Sequence, residues 1–317
     1  MICKESLLSP AKAGKHNKKV EQESRKRKKI MVRIIIYAVI FFGIFVWLFS
    51  NIFIKAYRPK TSNTPATFNI SFEKITVKSK DGLDLAGWWI PSIHGKSRIV
   101  IIFCHGLGAD KYQVMDYVPF LRENGYNILS FDFRGHGENK SKYTSLGYFE
   151  INDLLGAVDF VKTKGMKSIG VLGLSMGAAT AIVAAKKTGD INAIVSDSGF
   201  ARLAPLINRY AKRIYHISFT PLVSLVKKVA EIRISAKYDT VNPVDDIKDL
   251  KVPVLIIHGD KDENIPVENA NMLYESAKEP KKLLIFPGAT HVESHSIAQV
   301  KYEKEVLGFF KKYLKEK

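Results

Sequence analysis

The sequence predicts an α/β fold, in which a mostly parallel β-sheet carries helices on both faces, preceded by one transmembrane helix. Three observations predict it. Two segments alternate apolar and polar residues with a period of two, and short continuous apolar runs then alternate with segments of helical spacing. An uncharged apolar segment also lies near the N-terminus.

The composition fits one large domain, because the chain has 317 residues, of which 46% are hydrophobic and 25% charged. The net charge of +18 raises the question of a nucleic-acid partner. Residues 1–60 carry 14 Lys and Arg against three Asp and Glu, so this segment accounts for 11 of the 18 charges. No aromatic or motif context accompanies the basic run, and we expect it to meet lipid headgroups rather than nucleic acid.

The N-terminal segment is predicted to anchor the protein. Residues 1–33 form a basic tail that we expect to be disordered and cytoplasmic. Residues 34–54 carry no charge, and a helix of that length spans roughly 32 Å, about one hydrocarbon core. The alternatives are a buried core helix and a cleaved signal peptide, but the apolar stretch is long for a signal peptide and no small-x-small cleavage site follows it.

The basic cluster at 25–29 precedes this span, so the positive-inside bias predicts a single-pass cell-membrane protein with its main domain outside the cytoplasm. Cys3 and Cys104 would then lie on opposite sides of the membrane, and no disulfide between them is expected. Cys104 is predicted to be a buried core residue.

The main domain is predicted over residues 68–317, after a polar linker at 55–67. Alternation at 70–77 and 85–90, around the turn signal Lys80-Asp81-Gly82, predicts a β-hairpin. Continuous apolar runs predict strands buried on both faces at 99–103, 128–131, 169–172, 194–195, 254–257 and 283–286. Sheets of this kind place ligands at the carboxyl ends of their strands.

Residues 200–238 interrupt the alternation with two amphipathic helical patterns. We interpret this insertion as a lid over a ligand pocket. Ordinary packing of two helices on the sheet is the alternative, because both arrangements need an apolar face.

A nucleophilic serine is predicted between a strand and a helix. Gly173-Leu174-Ser175-Met176-Gly177 follows the run at 169–172 and precedes an Ala-rich helical segment. The glycines fit a strained turn, where a side chain would collide with neighbouring backbone, and the helix start favours negative charge near the hydroxyl.

A serine hydroxyl needs a base that takes its proton and an acid that orients the base. The run at 254–257 leads into a loop with three candidate acids, which are Asp260, Asp262 and Glu263. The run at 283–286 leads through a short Gly-containing loop to His291, the predicted base, with His295 as the second candidate.

The oxyanion of a tetrahedral intermediate needs two backbone N–H donors. We predict the amides of Met176, next to the nucleophile, and of Leu107, in the glycine-containing turn after the run at 99–103. His105 and His136 lie in tight turns after strands, and structural roles are predicted for both.

Together these residues resemble the α/β-hydrolase superfamily over roughly residues 68–315. The motifs are HGLG at 105–108, DFRGHG at 132–137, GLSMG at 173–177, HGDKDENIP at 258–266 and GATH at 288–291. The anchor with a short lid is similar to the Bem46-like and serine aminopeptidase-like (prolyl oligopeptidase-related) hydrolases. The resemblance implies Asp262 as the acid, and it implies no metal or organic cofactor.

The expected function is carboxylic-ester hydrolysis, on acyl or lipid-like esters such as lysophospholipids, because an apolar lid and an anchor favour such substrates. The alternative is a serine peptidase or aminopeptidase, which uses the same triad. An aminopeptidase needs carboxylates for the substrate amine, and the obvious acidic residue of the lid is Glu231. A non-catalytic surface binding module is a more distant alternative.

Overall fold

The computed structural model describes residues 10–59, 63–95 and 97–316. The chain forms two units, Met1–Phe49 and Ser50–Lys317.

The first unit is one long helix, α1 (Pro10–Phe49). Its apolar part is long and apolar enough to cross a membrane. Most side chains there are exposed, for example by 62% for Ile34 and 73% for Phe41. Residues 10–33, predicted to be disordered, are helical instead. Lys, Arg, Gln and Glu are good helix formers, and extending a helix that already exists needs no new nucleus. Residues 1–9, with Cys3, lie outside the described residues.

The second unit starts with residues that the sequence analysis assigned to the membrane helix and the linker. Ser50 precedes α2 (Asn51–Ile54), an extended segment follows, and a 3₁₀ turn covers Pro65–Phe68. Ile54 is fully buried in an apolar cluster, which explains why this part of the chain packs with the second unit. We refer to Ser50–Arg58 as the strap.

The predicted fold is confirmed by an eight-stranded sheet in the order β1-β2-β4-β3-β5-β6-β7-β8. The strands are β1 (Glu73–Lys78), β2 (Asp84–Ile90), β3 (Ile99–Cys104), β4 (Asn127–Phe131), β5 (Ser168–Leu174), β6 (Ile191–Asp197), β7 (Val254–Gly259) and β8 (Lys281–Phe286). The hairpin β1–β2 and the pair β2–β4 are antiparallel, whereas all pairs from β4 to β8 are parallel.

Helices cover both faces of the sheet. They are α3 (Val118–Glu123), α4 (Glu150–Thr163), α5 (Met176–Ala185), α6 (Leu203–Tyr215), α7 (Thr220–Ile234), α8 (Pro243–Asp246), α9 (Glu268–Ser276), α10 (Ser294–Ile297) and α11 (Gln299–Tyr313). Along β3, Val100 and Ile102 face the core under α4, α5, α8 and α9, while Ile101 and Phe103 face the core under α3 and α11. A strand that buries both faces must be apolar throughout, which explains the continuous runs in the sequence.

The insertion between β6 and β7 forms a third cluster. Apolar residues of α6 and α7 pack there with Ile54, Leu146 and Phe200. The insertion therefore has its own apolar core, beside the two that cover the sheet.

Candidate active site

Ser175 lies at the sharp turn between β5 and α5. Its backbone has φ 53° and ψ −113°, a strained conformation for a residue other than glycine. A Cβ on Gly177 would lie 2.1 Å from the Cys104 carbonyl oxygen, and one on Gly173 would lie 2.5 Å from the Gly177 carbonyl oxygen. The two glycines are therefore required sterically, because the turn brings backbone against backbone.

The structure brings together the three residues predicted to form a triad. Ser175 Oγ lies 2.9 Å from His291 Nε2, and His291 Nδ1 lies 2.7 Å from Asp262 Oδ2. Ser175 follows β5, Asp262 follows β7 and His291 follows β8. All three strands are parallel, so their carboxyl ends meet at one edge of the sheet.

Asp262 is held as an ionised acceptor. Its Oδ1 accepts the backbone N–H groups of Asn264 (2.9 Å) and Ile265 (2.8 Å), and His258 Nε2 lies 3.3 Å from Oδ2. Burial alone raises the pKa of the Asp262 carboxyl, but the hydrogen bonds from His258, His291 and the Ile265 amide outweigh it and hold that pKa well below its usual value.

The two other acids of this loop point elsewhere. Asp260 Oδ1 accepts the Gly288 N–H at 2.7 Å, and Glu263 forms a 2.6 Å ion pair with Arg213 of α6. In the described structure Asp262 is thus the one of the three whose carboxylate contacts His291.

The loop that carries His291 is fixed by a buried network that the sequence analysis did not predict. The Val292 N–H donates to Ser198 Oγ (3.2 Å), and the Ser198 hydroxyl donates to Asp197 (2.9 Å). Tyr302 Oη donates to the other oxygen of Asp197 at 2.9 Å. Burial raises the pKa of Asp197. An acidic residue at the end of the apolar run of β6 was the signal available in the sequence.

The remaining buried histidines are engaged in structural contacts. His105 receives the Phe133 N–H at Nε2 (2.9 Å), and its Nδ1 lies 2.8 Å from the Gly106 carbonyl. Burial lowers the pKa of His105 and keeps it neutral. His136 Nδ1 lies 2.8 Å from the Arg134 carbonyl.

His295, the second candidate for the base, lies 3.2 Å from Glu303 and packs against Tyr117 and Phe120. His291 is the histidine that contacts the nucleophile.

Leu107 and Met176, the predicted oxyanion donors, line the same cavity as Ser175. Gln113 Oε1 accepts the Gly106 N–H at 3.0 Å and so supports the turn that carries Leu107. Within the described chain, neither the Leu107 nor the Met176 N–H donates to a protein acceptor.

The cavity above Ser175 is apolar and has a volume of about 190 Å³. It is lined by Ile52, Phe53, Leu107, Leu146, Ser175, Met176, Phe200, Leu203, Leu206, Ile207, Tyr210, Ile214, Tyr215 and Ile265. Of the described residues, no Asp or Glu lines it. Glu231, the acid noted in the insertion, is 6% exposed and accepts the Tyr238 N–H at 2.8 Å, so it serves the backbone of the insertion.

The triad residues are thus joined by hydrogen bonds beside an apolar cavity, which Leu107 and Met176 also line. This arrangement can deliver a serine alkoxide to a carbonyl carbon and stabilise the oxyanion that results. In the described part of the chain no cluster of three or more His, Cys, Asp or Glu side chains could hold a metal ion.

The family model of the prolyl oligopeptidase family matches residues 112–317. Among curated proteins, Bacillus subtilis YqkD is 30% identical over 299 residues, which cover 89% of this chain and 97% of YqkD. The α/β-hydrolase domain-containing protein WAV2 of Arabidopsis thaliana is 26% identical, over 80% of this chain and 83% of WAV2.

Among solved structures, the Pyrococcus furiosus esterase Pf2001 is similar to this chain with a TM-score of 0.69 and 29% identity, covering 82% of this chain and 99% of the esterase. A Pyrococcus horikoshii acylaminoacyl peptidase shares the fold, with a TM-score of 0.59 and 22% identity, over 81% of this chain and 44% of the peptidase.

Proposed function

The chain belongs to the prolyl oligopeptidase family of α/β-hydrolases, and on that premise we propose that it is a membrane-anchored serine hydrolase that cleaves carboxylic esters through an acyl-enzyme. The observation that carries the proposal is the pair of hydrogen bonds Ser175–His291–Asp262, at 2.9 and 2.7 Å.

In the proposed reaction, Ser175 Oγ attacks the ester carbonyl while His291 Nε2 takes its proton. Asp262 accepts from Nδ1–H, which fixes the tautomer and stabilises the imidazolium. The Leu107 and Met176 N–H groups bind the oxyanion. His291 then protonates the leaving alkoxide, and the same steps, with water as the nucleophile, release the acid.

The choice of ester over peptide rests on the lining of the cavity. The cavity is apolar and offers no carboxylate, among the described residues, for a substrate amine. The relatives include both an esterase and a peptidase, so peptide hydrolysis is the second candidate.

The test compares kcat/KM for p-nitrophenyl esters and for aminoacyl p-nitroanilides, with full-length protein and its Ser175→Ala variant. We expect ester turnover that depends on Ser175 and exceeds anilide turnover. Faster turnover of the anilides would favour a peptidase. The absence of any Ser175-dependent turnover or active-site labelling would leave a non-catalytic binding module as the remaining hypothesis.

We further propose that α1 remains attached as a single-pass anchor, with the N-terminus cytoplasmic. The buried Ile54 supports retention, because a cut after the apolar segment would detach residues that pack in the second unit. Protease treatment of intact cells should remove the second unit. Its full protection would contradict the orientation, and N-terminal sequencing that starts beyond residue 49 would contradict retention.

A further inference from the structure

The strap is bonded into the catalytic unit at several points. In its first half, Arg233 of α7 donates to Ser50 Oγ (2.6 Å) and to Asn51 Oδ1 (3.1 Å), and Tyr238 Oη donates to the Phe53 carbonyl (3.1 Å). These contacts fix the strap to the insertion.

The second half of the strap is fixed to the loop that follows β4. The Thr144 N–H donates to the Ile54 carbonyl at 3.0 Å. Arg58 donates to the carbonyl oxygens of Gly135 and Asn139, both at 2.9 Å, and also to that of Ser141. The strap thus runs from the insertion to the β4 loop, with both ends anchored.

Between these anchors the strap forms part of the wall of the cavity. Ile52 and Phe53 are half-buried and line it together with Ser175, Leu107 and Met176. Tyr57 lies against the turn that carries Leu107, because a Cβ on Gly108 would be 3.7 Å from the Tyr57 Cβ.

The position of His291 decides which half of an ester the cavity holds. His291 must protonate the leaving alkoxide, so the alcohol half lies on the side of the imidazole. Among the described residues, Leu107 and Met176, which carry the predicted oxyanion donors, line the cavity, whereas His291 does not. We therefore expect the cavity to hold the acyl half.

We infer that Ile52 and Phe53 of the strap set the acyl-chain selectivity of this enzyme, whose substrate class is esters with an apolar acyl chain. This inference rests on the proposed function. The physical reason is that each methylene in an apolar site changes kcat/KM by roughly 10- to 200-fold, so the volume that the two side chains leave determines which chain fits. A protein that begins after Arg58 would lack this wall.

The test is the ratio of kcat/KM for p-nitrophenyl octanoate to that for p-nitrophenyl butyrate, with full-length protein in detergent. Phe53→Ala enlarges the cavity, and we expect the ratio to rise about tenfold. Ile52→Trp fills it, and we expect the ratio to fall about tenfold. Partial unfolding of the two variants would not change the ratio in opposite directions.

Phe68→Ala is the matched control. Phe68 follows the strap, is 51% exposed and is not a lining residue, so this variant removes the same side chain without touching the cavity. It should keep the wild-type ratio.

The outcomes separate the two proposals. Ser175-dependent turnover whose ratio is the same in wild type, Phe53→Ala and Ile52→Trp would overturn the role of the strap and leave the proposed function standing. If the wild-type protein itself showed no Ser175-dependent ester turnover, both proposals would be overturned.

Discussion

The carboxyl edge of the sheet and the wall of the cavity are built in different ways. At the edge, Ser175, Asp262 and His291 each follow a strand at a turn, and Gly173 and Gly177 are there because nothing larger fits. Most of the wall is built from the strap and from the insertion between β6 and β7, which are outside the sheet and whose apolar side chains meet at the cavity. In the proposed function the edge would supply a chemistry that many hydrolases share, and the wall would supply the shape that selects a substrate.

This contrast predicts that changes at the edge abolish turnover for every ester, whereas changes at the wall alter which ester is preferred. The largest effect is expected for His291→Ala. Without a base, kcat should fall roughly 10⁵- to 10⁶-fold for long and short esters alike. Steady-state kinetics with two chain lengths would check this, and His295→Gln should retain most of the activity. A His291→Ala enzyme that stayed within tenfold of wild type would show that the edge does not work as described.

Asp262→Asn should have the next largest effect. The amide would favour the wrong tautomer of His291, so kcat should fall about 10⁴-fold. Asp260→Asn on the same loop is the matched control, since Asp260 contacts the Gly288 N–H and not His291. If both variants lost activity equally, the assignment of the acid would be wrong.

Gly177→Ala tests whether the turn that carries Ser175 requires glycine for steric reasons. The new Cβ would lie 2.1 Å from the Cys104 carbonyl oxygen, so the turn must shift, and we expect a loss of about 3–5 kcal/mol in the free energy of unfolding. Gly308 of α11 has no atom within 4 Å of the added Cβ, and Gly308→Ala should be neutral or stabilising by about 1 kcal/mol. Urea denaturation of both variants makes the measurement. Equal free energies of unfolding for the two variants would contradict the steric requirement for glycine at position 177.

The smallest effect concerns pH. The folded-state pKa of Asp262 lies below its unfolded value, so its ionised form stabilises the fold above about pH 4. That contribution is lost as the pH falls through the folded pKa. The free energy of unfolding should therefore fall more steeply between pH 5 and pH 3 in the wild type than in Asp262→Asn. Parallel curves would mean that this carboxylate gains nothing from its hydrogen bonds.

The same contrast separates what the sequence could predict from what it could not. The strands were predictable because a strand buried on both faces is apolar over most of its length, as β3 and residues 254–257 of β7 are. The juxtaposition of Ser175, Asp262 and His291 followed from the order of their strands. Asp262 is assigned over Asp260 and Glu263 through the family resemblance, because the spacing of apolar residues does not distinguish three acids on one loop.

The strap could not be predicted. Ile52, Phe53 and Ile54 continue the apolar run of α1, and hydropathy alone does not distinguish a residue buried in lipid from one buried in protein. The helix at residues 10–33 could not be predicted for a similar reason. Its charged residues indicate solvation, but they are also good helix formers. Such decisions depend on tertiary contacts that local composition does not record.

The most direct test of the central claim is covalent labelling with a fluorophosphonate, followed by peptide mapping of full-length protein, Ser175→Ala and His291→Ala. We expect one adduct, on Ser175, that is absent from Ser175→Ala and forms far more slowly in His291→Ala. No adduct on the wild-type protein, or an adduct on another residue that persists in Ser175→Ala, would contradict it.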